Sequence, residues 1–312
     1  MENVVPDAPP AAIPVRAIAA SALACAALWG LDPILFGNPV LTPFAGEEAS
    51  IPAAAPVYAF WRPVWRPEAL AFVLVASAVL ALVPRLCAEE RTSRVRFLGF
   101  LLAASIALPL ALFAVRQPLG ELGSLLTLYP GEEVLWDAPR IDGYLAFLAQ
   151  YVDSMPGLSL HGKHFPPGHV TWIHAVQQAF GPGVLPVALV VLVAFAGAIL
   201  CAYATLRELA GEGAARAGAL LLLASPSLLD FACTSMDAVF LLWATLATFL
   251  AARLVNALRG RAPGAPGLAL ATGAALLAAT FFSFSALPVG LAIGLFVVFS
   301  GRVRAGRREL AR

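Results

Sequence analysis

Four stretches of this chain, residues 69–83, 97–115, 184–206 and 241–252, contain no charged side chain at all. A helix needs about 20 mostly apolar residues to cross a hydrocarbon core of ~30 Å. Inside that core every backbone polar group must be satisfied within the segment itself. Only 12% of the 312 residues are charged and 60% are hydrophobic, whereas a soluble domain carries roughly 25% charged residues. So few charges cannot cover a water-facing surface as well. The chain is therefore read as a polytopic, all-α integral membrane protein. A soluble enzyme, a secreted disulfide domain and a nucleic-acid binder are excluded, and the net charge of +1 gives no basis for polyanion binding.

The apolar runs predict about eight transmembrane helices, near 15–36, 69–84, 97–115, 184–206, 217–230, 237–252, 266–282 and 285–300. The first is expected to be a retained span rather than a cleaved signal, because no small-x-small site follows it closely. Charge sorting sets the orientation. Fifteen of the twenty basic residues fall in one alternating set of segments, among them Arg16, Arg85, Arg94, Arg96, Arg207, Arg216, Arg253 and the C-terminal arginines. The positive-inside rule then places both termini in the cytoplasm, and the expected location is the cell (inner) membrane. The four cysteines, Cys25, Cys87, Cys201 and Cys233, lack CxxC spacing and read as small buried hydrophobes. The repeated Trp-Arg-Pro at 61–63 and 65–67 reads as an interfacial aromatic anchor.

This topology gives the outer side one long polar segment, 116–183, between the third and fourth spans. A loop of that length is usually functional or structured. Two amphipathic helices are expected in it. From Asp142 to Asp153, Tyr144, Leu145, Phe147, Leu148, Tyr151 and Val152 share one arc, suited to lying on the outer leaflet. From Val170 to Phe180, Thr171, His174, Gln177 and Gln178 face one way, and Trp172, Ile173, Val176 and Phe180 the other.

Between these helices lie His161, the sole lysine Lys163, His164 and His169, with His174 just beyond. An ammonium beside imidazoles suits a phosphate. Solvated loop histidines are one alternative and a metal site another, although the spacing straddles Pro166-Pro167 and matches no familiar zinc pattern. Asp230 and Asp237 mark the outer turn of the 217–252 hairpin. Ionisable groups near a membrane core tend to face a cavity or a partner; otherwise they serve as solvated turn residues or helix caps.

Asp142-Gly-Tyr144, Lys163-His-Phe-Pro-Pro167, the span ending Tyr203-Ala-Thr-Leu-Arg-Glu-Leu-Ala-Gly211, and Ser225-Pro226 followed by Asp237 occur in this order. Together they resemble the GT-C membrane glycosyltransferases, most of all the protein O-mannosyltransferase and aminoarabinose-transferase group of glycosyltransferase family 39, over roughly residues 97–300. On this resemblance 97–312 is a GT-C-like membrane domain and 1–96 an added N-terminal two-span hairpin. It implies an enzyme of the bacterial inner membrane that moves a sugar from a polyprenyl-phosphate carrier to an acceptor hydroxyl, a glycan, lipid or protein, at the outer face, with inversion. The catalytic base would fall on Asp142, with Asp137 as fallback, and a second acidic residue on Asp237 or Asp230. Lys163 would meet the donor phosphate, with His164 and Arg140 in support; His161, His169 and Tyr144 complete the candidates. No cofactor is expected, a role for a divalent metal stays open, and the partners are membrane lipids and the carrier, not nucleic acid. Two other classes compete: a non-catalytic or truncated scaffold relative, and a lipid-carrier transporter.

Overall fold

The computed structural model describes residues 67–88, 92–127, 133–260 and 263–309. The chain divides between Trp65 and Arg66, and these residues all belong to the second unit, Arg66–Arg312. The span expected over 15–36, Cys25 and the Trp-Arg-Pro repeat, apart from Pro67, lie outside the described residues. Among those described, every element is helical. Five helices are long and apolar enough to cross a membrane: α1 (Glu68–Cys87), α2 (Arg94–Arg116), α7 (Val184–Ala210), α10 (Asp237–Leu258) and α11 (Ala265–Phe282). They cover four of the runs that define the expected spans directly, and the 266–282 run as well. A further helix, α12 (Ala286–Glu309), has a shorter apolar part, Ala286–Ser300.

The expected span over 217–230 is not a single helix. It resolves into α8 (Glu212–Leu223) and the short α9 (Pro226–Phe231). Pro226 has no N–H to continue the first helix and occupies the first turn of the second, with Ser225 extended before it. At 1.5 Å per residue the 12 residues of α8 span about 18 Å, short of a ~30 Å core.

Helix α7 is the centre of the bundle. Val187, Ala188, Val191, Phe195 and Ala198 are buried along it, against α2, α8 and α10. Small residues permit the close approaches: a Cβ on Gly197 would sit 3.0 Å from Leu242 Cδ1 of α10. Asn256 Nδ2, near the end of α10, donates to Glu208 Oε2 near the end of α7 at 2.9 Å, so these helices run parallel. Ala247 and Ala251 of α10 form a second cluster with Ala275 of α11 and Ile293 of α12. Side chains on the outside remain apolar, such as Leu74, Leu80, Leu270, Leu277 and Leu291. A helix hydrophobic on all sides fits a bundle whose surroundings are as apolar as its core.

The two ends of the bundle differ in charge. Arg85, Arg94, Arg96, Arg207, Arg216, Arg253 and Arg259 gather where α1, α7 and α10 end and where α2 and α8 begin. Arg216 is 2% exposed. Its Nη1 donates to the carbonyls of Leu86 and Thr92, each at 3.0 Å. Its Nε donates to Glu212 Oε1 at 2.8 Å, and the guanidinium lies 5.1 Å from the centre of the Phe97 ring. Tyr203 of α7 donates its hydroxyl to Glu212 at 2.7 Å. One arginine thus pairs a last-turn carbonyl of α1 and a carbonyl of the connection to α2, and ties four helices together. A buried charge stripped of its partner costs several kcal/mol. Replacing Arg216 with Ala leaves Glu212 uncompensated and two carbonyls unpaired, and is expected to cost about 3 kcal/mol. Thermal unfolding in detergent should show the midpoint falling by several degrees, and Arg216→Lys, with no fork, recovering only part of it.

Candidate functional site: a carboxylate and imidazole cavity at the loop end

Residues 117–127 and 133–183 form a layer of short helices over the other end of the bundle. Its elements are 3-10 turns at Leu119–Glu121, Ser124–Thr127, Val134–Trp136 and Ala138–Arg140, then α3 (Tyr144–Ala149), α4 (Tyr151–Ser154), a 3-10 turn Met155–Gly157, α5 (Leu160–His164) and α6 (Gly168–Phe180). The helix expected over 142–153 is therefore broken at Gln150, which leaves the helical region. Beyond the break, Tyr151 turns inward and donates its hydroxyl to the carbonyls of Gly162 and Phe165, at 2.7 and 2.5 Å. Burial and the Asp137 carboxylate push this phenol above its usual range, which keeps it a donor. Phe147 packs edge-on against Tyr151, with ring centres 5.6 Å apart. Leu145 and Val152 stay 78% and 75% exposed.

Asp137 holds the layer together. It is buried, and Ser159 donates to it three times: the backbone N–H to Oδ1 at 2.9 Å and Oδ2 at 3.1 Å, and the hydroxyl to Oδ2 at 2.6 Å. Ser159 is also the N-cap of α5, its Oγ accepting from the Gly162 N–H at 3.1 Å. Only glycine fits at 162, because a Cβ there would fall on Asp137 Oδ2. Arg140 lies on the exposed side of the latch, its Nη1 3.7 Å from Asp137 Oδ1 and donating to the Gly157 carbonyl at 2.9 Å.

The start of α6 is pressed onto the end of α11. A Cβ on Gly168 would collide with the Phe281 carbonyl oxygen. His174 Nδ1 donates to the Ala138 carbonyl at 3.0 Å, tying α6 to the Asp137 segment. Thr171, expected on the polar face, is instead buried, its hydroxyl donating back to the Pro167 carbonyl at 2.8 Å. Phe180, expected on the apolar face, is exposed. The layer covers α6 near its start and leaves its end open, so periodicity alone misassigns both.

Between this layer and the 232–236 turn lies a cavity of about 280 Å³. Its polar lining includes Glu133, His161, His169, Thr234, Ser235 and Asp237, and its apolar lining includes Leu126, Phe165, Ile173 and Phe231. His161 Nδ1 and Glu133 Oε2 are 3.4 Å apart. Asp237 opens α10 and accepts from the Ser235 hydroxyl at 2.9 Å. His169 is 3% exposed and packed between Phe165 and Phe282, with ring centres 5.1 and 5.7 Å away. Its Nε2 has no hydrogen-bond partner among the described residues. Burial lowers its pKa to about 4, with Asp237 pulling upward and His161 adding to the depression.

The structure thus brings together three of the sequence candidates, Asp237, His161 and His169, and adds Glu133. Sequence reasoning passed over Glu133; its only signal is the acidic pair at 132–133, which belongs to no helical pattern. Asp142 and Tyr144 are exposed on the layer surface, and neither lines the cavity. Lys163 and His164 are exposed on α5, with His164 Nδ1 donating to the Leu160 carbonyl at 2.7 Å. Asp230 is half-buried on α9, outside the cavity lining. No group of three or more His, Cys, Asp or Glu among the described residues could hold a metal ion. Burial and the Asp230 charge push the Cys233 thiol up to about 11, consistent with an inert packed sulfur. No family model, curated protein or solved structure matches the chain.

Two measurements test this geometry. Asp137→Ala strands the Ser159 donors, at a cost of about 2 kcal/mol; hydrogen exchange at Ser159 and Gly162 should speed up about 30-fold while the bundle amides stay protected. The second concerns His169, whose folded pKa lies below the unfolded value of about 6.5. Stability from its neutral ring is complete above that value and is lost as pH falls toward 4. The melting midpoint of the wild type should fall more steeply between pH 6.5 and 4 than that of His169→Phe.

Proposed function

We propose that this protein is an inverting membrane glycosyltransferase of the GT-C type, taking a sugar from a polyprenyl-phosphate carrier and passing it to an acceptor hydroxyl. The observation that carries the reading is the convergence of Glu133, His161, His169 and Asp237 on one cavity beneath the loop layer. Supporting it are the five long apolar helices and the arginines gathered at the opposite end. By the positive-inside rule that end is cytoplasmic, so the cavity opens at the outer face of the inner membrane.

The chemistry follows from the lining. The acceptor oxygen attacks the anomeric carbon, and the bond from that carbon to the phosphate oxygen breaks, the oxygen leaving with the electron pair. The acceptor proton passes to a carboxylate, and Asp237 takes this role because it stands at the cavity with its side chain oriented by Ser235. The departing phosphate gains charge, which a nearby cation stabilises more in the transition state than before it. Lys163 is that cation. It is exposed on the helix whose His161 lines the cavity, outside the lining itself but two residues from it, and it makes no ion pair among the described residues. Asp142, the base implied by the motif order, lies outside the cavity.

The test uses purified protein in lipid with a polyprenyl-phosphate. Lys163→Ala should bind the carrier about tenfold more weakly, ~1.4 kcal/mol. With a labelled polyprenyl-phosphate sugar and native membranes as acceptor, Asp237→Asn should keep carrier binding and lose transfer at least ~100-fold, whereas Asp142→Asn should retain it. A wild-type protein that binds no carrier, or an Asp237→Asn protein that transfers normally, would overturn the proposal.

A further inference from the structure

A buried imidazole with an unused nitrogen is costly. An unmade hydrogen bond in a low-dielectric site forfeits about 1–3 kcal/mol, and such groups in native proteins call for an explanation. His169 has this character: its ring is clamped by Phe165 and Phe282, it borders the cavity, and its Nε2 is unpartnered among the described residues. The segments packed around it offer Asp237 from the start of α10 and His161 from α5 as the nearby titratable groups, with Glu133 across the cavity.

The rest of the lining says which chemistry would use that nitrogen. Glu133 and Asp237 are carboxylates, and His161 stands beside Glu133, its Nδ1 3.4 Å from Oε2. A phosphate monoester would face two like charges in a confined space. A neutral ligand rich in hydroxyls would find the reverse: carboxylates that accept, Thr234 and Ser235 oxygens that accept while their own protons go to the Asp230 carbonyl and to Asp237, and the Phe165 ring for its C–H face. The volume of about 280 Å³ lies near the lower limit for small-molecule pockets, about 300 Å³. That suits one small ring and not a chain of them.

We propose that this cavity holds a single uncharged polyhydroxy ring, the sugar unit of the reaction above, and that His169 Nε2 hydrogen-bonds one of its hydroxyls and so sets which sugar is accepted. The assignment rests on the glycosyltransferase reading for the source of the ring, and on the cavity alone for the chemistry of recognition. His169 is here a specificity-determining residue. It takes no proton from the reaction, and being neutral over the physiological range, it offers a directional contact instead of a charge. A site built around a particular hydroxyl rejects an analogue lacking it far more strongly than a purely apolar pocket does.

The experiment is ligand-observed NMR on wild-type protein in lipid nanodiscs with the methyl glycosides of glucose, mannose, galactose and arabinose and their monodeoxy forms. One parent glycoside should bind, and one of its monodeoxy forms should bind at least about tenfold more weakly, ~1.4 kcal/mol. His169→Phe should bind the parent as weakly as the wild type binds that deoxy form, and should not distinguish the two. His169→Gln, whose amide reaches a similar distance, should recover part of the discrimination, and it keeps the proposal testable where the Phe variant fails to fold. Two results overturn the assignment while leaving the glycosyltransferase reading intact: unchanged discrimination in the folded His169 variants, or carrier binding without binding of any glycoside. Failure of wild type to bind either carrier or glycoside overturns both.

Discussion

A buried carboxylate receiving three hydrogen bonds from one serine is the interaction on which the loop end of this molecule depends. The layer over residues 117–127 and 133–183 consists of short helices, none of which closes enough internal hydrogen bonds to stand alone. Asp137 and Ser159 lie 22 residues apart, and their contact closes that loop across everything between. Once it is made, Ser159 caps α5, Gly162 is pressed against the carboxylate, and His161 is turned toward Glu133. The irregular backbone that follows is satisfied by Tyr151, whose hydroxyl serves two carbonyls. Replacing any one of these partners leaves a buried polar group of another element unpaired, so the layer is cooperative despite its lack of long helices.

The bundle beneath follows a different economy. Its surroundings are as apolar as its interior, so burial distinguishes inside from outside by size more than by polarity. Alanine and glycine occupy the contacts of α7 with α10 and of α10 with α11, while leucine crowds the outer surface. Polar side chains inside the helices, Ser105, Thr245, Thr248, Thr272 and Thr280, donate to carbonyls one turn back and present no unsatisfied group. The buried charge of Arg216 lies at the basic end, where backbone carbonyls, a carboxylate and an aromatic face are all within reach.

Much of this was legible in the sequence. The absence of charge over 97–115 or 184–206 leaves few alternatives to a long apolar helix, and the structure places α2 and α7 there. The 217–230 run failed because total hydrophobicity does not register where a helix stops, and Ser225-Pro226 stops it. The site was legible in residue type and not in arrangement. Asp237 and the histidines were candidates, but nothing along the chain reveals that residues 68 positions apart, His169 and Asp237, border one cavity. Asp137 and Asp142 illustrate the limit most plainly. They are five positions apart in similar company, yet one is sealed beneath Ser159 and the other stands in the open. That difference comes from a partner 22 residues away, a distance at which local pattern carries no information.

Gly168 against the Phe281 carbonyl is a contact of main chain with main chain, with no side chain between to bend or rotate. Packed interiors transmit displacement instead of absorbing it, so the first turn of α6 and the last turn of α11 form one mechanical body. His169, next in the chain and lodged against Phe282, belongs to that body too. The wall carrying the imidazole therefore cannot lift away like a lid. The opposite wall is carried by other elements, with Phe231 at the end of α9, Thr234, Ser235 and Met236 in the turn, and Asp237 at the first position of α10. The position of the imidazole is thus set by two helices at once, the one that carries it and the long apolar one it is pressed against.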